Sequence, residues 1–129
     1  MLTAACCCIL TSCGGSGVVY PDDLQIFAEK DSIGYEGEDV TVVIYYNGTS
    51  KWKINCHVYD EDGNELPNNS IKISPTSGRK DKNIKVSIPE NNSSKKIKIV
   101  VEVEIHTHNN WGSRATVITQ EGNPNVDDE

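Results

Sequence analysis

The chain has 129 residues, with 12 basic and 19 acidic side chains and a net charge of −7. This length suits one domain with a modest core. The negative charge argues against binding to nucleic acid or to an anionic membrane surface, because both require a basic face. Neutral ligands such as sugars are compatible with it.

The first twelve residues, MLTAACCCILTS, carry no charged side chain. They are too few to span a bilayer as a helix, but they match the apolar stretch of a removed signal segment. The sequence at their end, Leu10-Thr11-Ser12-Cys13-Gly14, resembles the lipobox of bacterial lipoproteins. The resemblance implies that residues 1–12 are a lipoprotein signal peptide and that Cys13 is lipidated. It places the protein at the cell envelope, with the outer membrane as the expected location of the lipid anchor.

Residues 13–23 are rich in glycine and polar side chains, which predicts a flexible tether after the anchor. Signal peptides usually open with a basic residue, but none precedes Lys30. We therefore expect the true start to lie upstream. The alternative is a frayed apolar N-terminus that carries no lipid.

From Leu24 onward the apolar residues recur with period two, which predicts strands rather than helices. The clearest segments are VTVVIYY (40–46), KWKINCHVY (51–59), NIKVSIP (83–89), KIKIVVEVEI (96–105) and RATVITQ (114–120). Each has one apolar and one polar face, as in antiparallel sheets packed face to face. About seven short strands in roughly 100 residues predict an all-β fold, an immunoglobulin-like antiparallel β-sandwich.

The same alternation predicts which side chains are buried. Trp52 and Cys56 share a face with Ile54 and Val58, so both are expected in the core. In the last strand, the alternation groups Ala115, Val117 and Thr119 on one side. The lysines, Asn55 and His57 of the second strand take its polar face.

Turn residues separate these segments. Asn47-Gly48 predicts a hairpin between the strands on either side of it, and Asp62-Gly63-Asn64 predicts another. The alternation Asp60, Asp62, Asn64 resembles the start of a calcium loop, but the twelfth position is Ile71 instead of an acid. A plain hairpin turn is therefore expected there. A final hairpin closes at Asn109-Asn110-Trp111-Gly112.

Three segments in order, YYNGTSKWKI (45–54), IKISPTSGRKDKNIKVSIPEN (71–91) and ATVITQEGN (115–123), resemble the BACON family. These are small immunoglobulin-like domains of Bacteroidetes lipoproteins and secreted carbohydrate-active enzymes. The resemblance implies one such domain over residues 24–123. The acidic composition of residues 124–129 predicts a loose tail. The chain departs from the family where a second Trp is common, near Ile71 and Ile73, and in its longer last hairpin.

The resemblance implies carbohydrate binding. Binding to a sugar requires an exposed aromatic face for stacking and planar amides or carboxylates for the hydroxyls. The loop HTHNNWG supplies such groups, so the candidate glycan-binding residues are His106, His108, Asn109, Asn110 and Trp111. The alternative is that Trp111 folds back and covers the end of the sandwich.

Other chemistry has less support. His106 and His108 could share a zinc ion only with a third ligand, such as His57 or an acid, and exposed histidines at a hairpin tip are more common than such sites. Cys56 and His57 point to opposite faces of a strand, which disfavours a catalytic thiol. We therefore predict no metal, no cofactor and no enzymatic activity. Asp31-Ser32-Ile33 resembles the short O-glycosylation signal of exported Bacteroidetes proteins.

The sequence thus leads to two main hypotheses. The first is a non-catalytic, lipid-anchored accessory module of the cell envelope, with a glycan as its ligand. The second is a structural spacer or interaction domain that contacts envelope proteins through a sheet edge or its acidic surface. A glycan binder predicts an exposed aromatic side chain in a polar groove, whereas a spacer predicts that Trp52 and Trp111 are both buried.

Overall fold

The computed structural model describes residues 24–106 and 111–126, and it arranges them in two β-sheets packed face to face. Within these residues the strands are β1 (Leu24–Ala28), β2 (Ser32–Ile33), β3 (Glu38–Tyr46), β4 (Trp52–Asp60), β5 (Glu65–Leu66), β6 (Lys72–Ser74), β7 (Ser77–Gly78), β8 (Lys82–Ile88), β9 (Ile97–His106) and β10 (Trp111–Gln120). The predicted all-β sandwich is confirmed. Six of these strands have five residues or more, against the predicted number of about seven, and four others, β2, β5, β6 and β7, have only two or three residues, too few for a periodic pattern. No helix in the described ranges could cross a bilayer.

One sheet has the order β2–β10–β9–β4–β5, with β7 also paired to β4; this is the six-stranded sheet. The four-stranded sheet has the order β1–β3–β8–β6. Every strand pair in the described residues is antiparallel except β2 with β10, which runs parallel over two residue pairs. The predicted antiparallel sandwich is therefore mixed at this one edge. In the sequence that resembles an O-glycosylation signal, Asp31 and Ser32 are exposed, whereas Ile33 is buried in the core.

The core lies between the two sheets and is built from the inward faces of the long strands. β9 buries alternate residues, as the period-two pattern predicted, and β3 does the same except that Val43, on its outward face, is also buried. The side chains that are essentially fully buried are Leu24, Val40, Val42, Ile44, Trp52, Ile84, Val86, Ile99, Val101, Val103 and Ile118. Each buried aliphatic side chain of this kind contributes about 1.5–3 kcal/mol relative to exposure.

The last strand, β10, presents the opposite apolar face to the one predicted. Ile118 is fully buried, whereas Ala115 and Val117 lie on the outward face. The register explains the difference, because Ile118 pairs with the buried Ile99 of β9. Paired residues on neighbouring strands share a face, so β9 determines which side of β10 enters the core.

Of the three predicted hairpins, two form and one does not. β4 pairs with β5 across Asp62-Gly63-Asn64, and β9 pairs with β10. The prediction for Asn47-Gly48 is wrong, because β3 belongs to the four-stranded sheet and β4 to the six-stranded sheet. This turn carries the chain from one sheet to the other.

The turn after β4 is organised by the carboxylate of Asp60. Its Oδ1 accepts hydrogen bonds from the backbone N–H groups of Asp62 and Asn64, each at 2.9 Å. The bond from the Asn64 N–H is the largest of several causes that lower the pKa of Asp60. The predicted hairpin turn is therefore confirmed.

Some residues in the segments that define the family resemblance make close packing contacts within the sandwich. The indole N–H of Trp52 donates to the carbonyl of Lys80 at 2.9 Å, and a Cβ at Gly78 would lie only 2.7 Å from the Trp52 ring. Gly122 likewise leaves no space for a side chain, because the carbonyl of Ser94 lies against it. These glycines are explained by close packing.

Two buried amides close the end of the sandwich. Asn91 donates to the carbonyls of Lys95 and Glu121 at 2.8 and 3.0 Å. Gln120 is 2% exposed and donates to the carbonyls of Pro89 and Tyr35 at 2.9 and 3.2 Å. Such amides satisfy backbone groups that have no strand partner.

The predicted loose tail is partly ordered. The backbone N–H of Asn125 donates to Asn123 Oδ1 at 2.8 Å, and its side chain donates to the Tyr35 hydroxyl at 3.3 Å. Residues 124–126 therefore form a tethered turn, and residues 127–129 lie outside the described residues.

Candidate functional site

The candidate site lies on the outward face of the six-stranded sheet, at the end where β9 meets β10. The side chains of this face come from alternate positions of β4, β9 and β10. We call the following group the polar platform: Lys53, Asn55, Glu102, Glu104, His106 and Trp111. All of them point to the same side, because a strand alternates its side chains and paired residues share a face.

Trp111 begins β10 and pairs directly with His106, the last residue of β9. The two rings meet edge to face, with their centroids 6.3 Å apart and their planes at 70°. Trp111 is 37% exposed, whereas Trp52 is fully buried. The tryptophans therefore differ in role: Trp52 packs in the core, and part of the Trp111 indole remains accessible on the platform.

Next to Trp111, a continuous chain of hydrogen bonds joins side chains of β9 to Asn55 of β4. His106 Nε2 lies 3.2 Å from Glu104 Oε1, and the other oxygen of that carboxylate accepts from Asn55 Nδ2 at 2.9 Å. The same Asn55 amide nitrogen is 3.5 Å from Glu102 Oε1. The Glu104 side chain is only 13% exposed, so its neighbours hold the carboxylate in place.

A groove of about 460 Å³ runs beside this chain. It is bordered by Lys51 and Lys53 on one side and by Glu104 and His106 on the other, and Thr76 adds a hydroxyl. Ammonium groups, a carboxylate, an imidazole and a hydroxyl thus lie around one shallow space. This mixture provides both donors and acceptors for a polyhydroxyl ligand.

Of the five residues predicted as glycan-binding, the structure places two on the platform, His106 and Trp111. The other three, His108, Asn109 and Asn110, lie in residues 107–110, outside the described residues. Cys13, the predicted lipidation site, also lies outside them.

Four platform residues were not predicted from the sequence as part of the site: Asn55, Glu102, Glu104 and Lys53. Alternation correctly put them on polar strand faces, but it did not show that β4 and β9 are neighbours. The register does so by pairing Glu102 with Asn55 and Glu104 with Lys53. The signal available in the sequence was that β4 and β9 each have a polar face over a similar length of strand.

The other histidine and the body cysteine stand apart from the platform. His57 Nδ1 lies 3.3 Å from Glu65 Oε2, at the β5 edge of the sheet. Within the described residues, no three His, Cys, Asp or Glu side chains form a group that could hold a metal ion. Cys56 packs against the core, and burial raises the pKa of its thiol to about 11. The thiol is therefore protonated at neutral pH, unlike the activated thiolate of a cysteine nucleophile.

Comparisons with known proteins show the fold. Neither known protein families nor curated protein sequences give a match. Among solved structures, a Bacteroides ovatus GH5 xyloglucanase in complex with a XXXG heptasaccharide aligns with a TM-score of 0.54 and 17% identity, over 78% of this chain and 19% of that one. Thus the chain corresponds to about a fifth of the xyloglucanase. This likeness shows a shared β-sandwich and nothing further.

Two further structures align less well. A protein from Bacteroides thetaiotaomicron has a TM-score of 0.44 and 17% identity, over 91% of this chain and 98% of that one. The periplasmic chaperone SfaE has a TM-score of 0.49 and 12% identity, over 81% of this chain and 61% of that one.

Proposed function

We propose that this protein is a non-catalytic, lipid-anchored accessory module of the cell envelope that binds a glycan on its polar platform. The observation that carries the proposal is the partly exposed indole of Trp111 beside the hydrogen-bonded chain His106–Glu104–Asn55. An apolar ring face next to oriented polar groups is the arrangement that sugar recognition requires.

The platform divides the recognition of a sugar between two kinds of contact. The Trp111 ring stacks on the C–H face of a pyranose, which is apolar. Carboxylate oxygens of Glu104 and Glu102 accept hydrogen bonds from hydroxyls, while Lys53 donates. Because Asn55 and His106 already hold Glu104, its carboxylate needs little further ordering when the ligand binds.

The platform groups are better suited to binding than to catalysis. Glu104 is engaged on both oxygens by His106 and Asn55, and Cys56 faces inward with a raised pKa. Neither arrangement supplies a nucleophile beside a free base. The non-catalytic proposal rests on these two residues.

The choice of first ligand follows from the structural comparison. The aligned xyloglucanase was solved with a xyloglucan heptasaccharide, so xyloglucan is a sensible first probe for this chain. The fold likeness does not identify the ligand, and the panel should therefore include other neutral polysaccharides.

The test uses the full chain in native gels that contain xyloglucan, mixed-linkage β-glucan, galactomannan or xylan, with all variants kept in the same mild detergent. Trp111→Ala should weaken retention in at least one gel that retards the wild type. Val117→Ala is the matched control, because Val117 is 42% exposed on the same face of the same strand. Retention of Trp111→Ala equal to that of the wild type contradicts a glycan site on the platform, and no retention of the wild type in any gel also favours the spacer hypothesis.

The anchor is a separate part of the proposal and has its own test. Cells that express the full chain are fed an alkyne analogue of palmitate, and the label on the protein is measured. Cys13→Ser should abolish the label, whereas the neighbouring Cys8→Ser should keep it. Equal label on both variants contradicts lipidation at Cys13.

A further inference from the structure

The outward face of the four-stranded sheet carries a second aromatic surface, at its β1 edge. Phe27 pairs with Val43, and Gln25 pairs with Tyr45. The Phe27 and Tyr45 rings lie diagonally adjacent, with their centroids 5.7 Å apart and their planes tilted by 36°. Phe27 is 43% exposed and Tyr45 48%, so both aromatic residues are accessible to solvent.

Amide groups border these rings. Gln25 lies on β1 beside Tyr45, and Asn83 of β8 pairs with Val43. Neither side chain forms a hydrogen bond to another described residue, whereas the Asn55, Asn91 and Gln120 amides are all engaged. Two planar amides with free donors and acceptors therefore lie beside two partly exposed rings.

A groove continues the surface beyond Tyr45. It has a volume of about 450 Å³ and is bordered by Tyr45, Asn47, Lys80 and Asp81. Two hydrogen bonds hold residues 80 and 81, which form one wall of the groove. Asp81 Oδ1 accepts from the Tyr46 backbone N–H at 2.8 Å, and the Lys80 carbonyl accepts from Trp52 Nε1. One ammonium and one carboxylate lie at the groove, so it has no net charge.

The exposed area of the Phe27 and Tyr45 rings limits the kind of ligand or partner that can bind there. A fully exposed aromatic side chain offers about 150–250 Å², so two rings less than half exposed provide on the order of 200 Å². A stable protein interface needs about 800 Å² from each partner, of which roughly half or more is apolar. The two rings thus provide too little apolar area for the centre of a lasting protein dimer, but they can hold a short run of sugar rings. The amide border and the neutral groove suit uncharged hydroxyls.

We propose that Phe27 and Tyr45, with Gln25, Asn83 and the groove at Asn47, form a second glycan-binding site that takes a short run of neutral sugar rings. The site lies on the opposite sheet from the polar platform and shares no residue with it. It therefore does not rest on the first site. A domain with both sites would engage glycan chains from two sides, which raises the apparent affinity for polymers above that for short oligosaccharides.

The test compares the full chain with the double variant Phe27→Thr/Tyr45→Thr in the same four polysaccharide gels. Threonine is used because it keeps the β-propensity of strand positions. The double variant should bind at least one polysaccharide roughly tenfold more weakly, as expected for the loss of two stacking contacts. Val117→Thr is the matched control, because it replaces an exposed apolar strand residue away from the surface.

The two sites can be separated by their variants. Weakening in the double variant with Trp111→Ala unchanged supports this site and contradicts the platform. Weakening only in Trp111→Ala overturns this site and keeps the platform. Wild-type protein that is retarded in no gel overturns both.

A second measurement needs no variant, so it stands even if the double variant folds poorly. Backbone amide NMR signals of the wild type are followed as xyloglucan oligosaccharide or galactomannan oligosaccharide is added. Shifts at Gln25, Phe27 and Tyr45 support the site. Shifts confined to β4, β9 and β10, or no shifts, overturn it.

Discussion

The side-chain amide of Asn55 donates a 2.9 Å hydrogen bond to the carboxylate of Glu104, a residue 49 positions further along the chain. The bond joins β4 to β9 on the outward face of the six-stranded sheet. It holds the one carboxylate of the polar platform that His106 also contacts. The organisation of the candidate site thus depends on the amide of Asn55, which lies between the carboxylates of Glu102 and Glu104.

Replacing this amide by an acid should destabilise the protein at neutral pH. Asn55→Asp removes the donor and places a third carboxylate beside Glu102 and Glu104. The repulsion should cost about 1–3 kcal/mol of unfolding free energy at pH 7. Since like charges raise the folded-state pKa of the introduced acid, the lost stability should return as pH falls towards 4. Thermal unfolding between pH 3 and 8 measures this effect, and Asn92→Asp, on an exposed loop, is the control. Equal melting of the two variants would contradict the role of Asn55.

The contact between Gly78 and Trp52 predicts a clear steric effect. Gly78→Ala puts a methyl group 2.7 Å from the fully buried indole ring, so the ring or strand β7 must move. We expect a loss of about 1–3 kcal/mol in chemical denaturation. Gly34→Ala is the matched control, because the added carbon meets only the flexible end of the Glu36 side chain, at 2.6 Å. A control as unstable as Gly78→Ala would show that the ring contact is not the cause.

Gln120 allows a test of the buried amides. Gln120→Glu would turn a donor to the Pro89 and Tyr35 carbonyls into a buried carboxylate that faces them. We expect a loss of about 3 kcal/mol or more at pH 7. The pKa of the introduced acid is raised in the folded state, so the protein should regain stability below pH 4, where the acid is protonated in both states. Gln120→Met, which has a similar shape but no charge, should show no such pH dependence. Unfolding curves at pH 4 and pH 7 distinguish the two, and parallel behaviour would be evidence against the carbonyl contacts.

Cys56 should be unreactive in the folded protein. Burial raises the pKa of its thiol from 9.0 to about 11, so little thiolate is present at pH 8. Alkylation by iodoacetamide, followed by peptide mapping, should be slow in buffer and fast in guanidinium chloride. Because the folded pKa is the higher one, stability should fall as pH rises from about 9 to 11, and Cys56→Ala should lack this decline. Rapid alkylation of the native protein would contradict the burial of the thiol.

The local prediction of strands succeeded where the polar alternation was strict. β9 buries Val101 and Val103, and its outer face is polar at Lys98, Glu102 and Glu104 with Val100 the one apolar exception, so its inward face was clear. It failed in β10, where Val117 and Ile118 are both apolar and adjacent, and the pairing with β9 decided between them. The Asn47-Gly48 signal also misled, because a tight turn can join two sheets as well as two paired strands.

For the candidate site, the sequence identified the aromatic residue but not its surroundings. Trp111 and His106 were found because they lie close together in the chain. Asn55 and Glu104 were missed because they meet only through the register of β4 and β9. The Phe27–Tyr45 surface was missed for the same reason, since its two rings come from different strands.

The sequence by itself determined the all-β class, the inward face of most long strands and the burial of Trp52, because alternation is a local property with a period of two. The order of the strands, the sheet to which each belongs and the register between them are not local. They are decided by which packing buries all the apolar faces at once. Only the tertiary structure therefore placed Asn55 beside Glu104, turned Ile118 inward and brought Phe27 next to Tyr45.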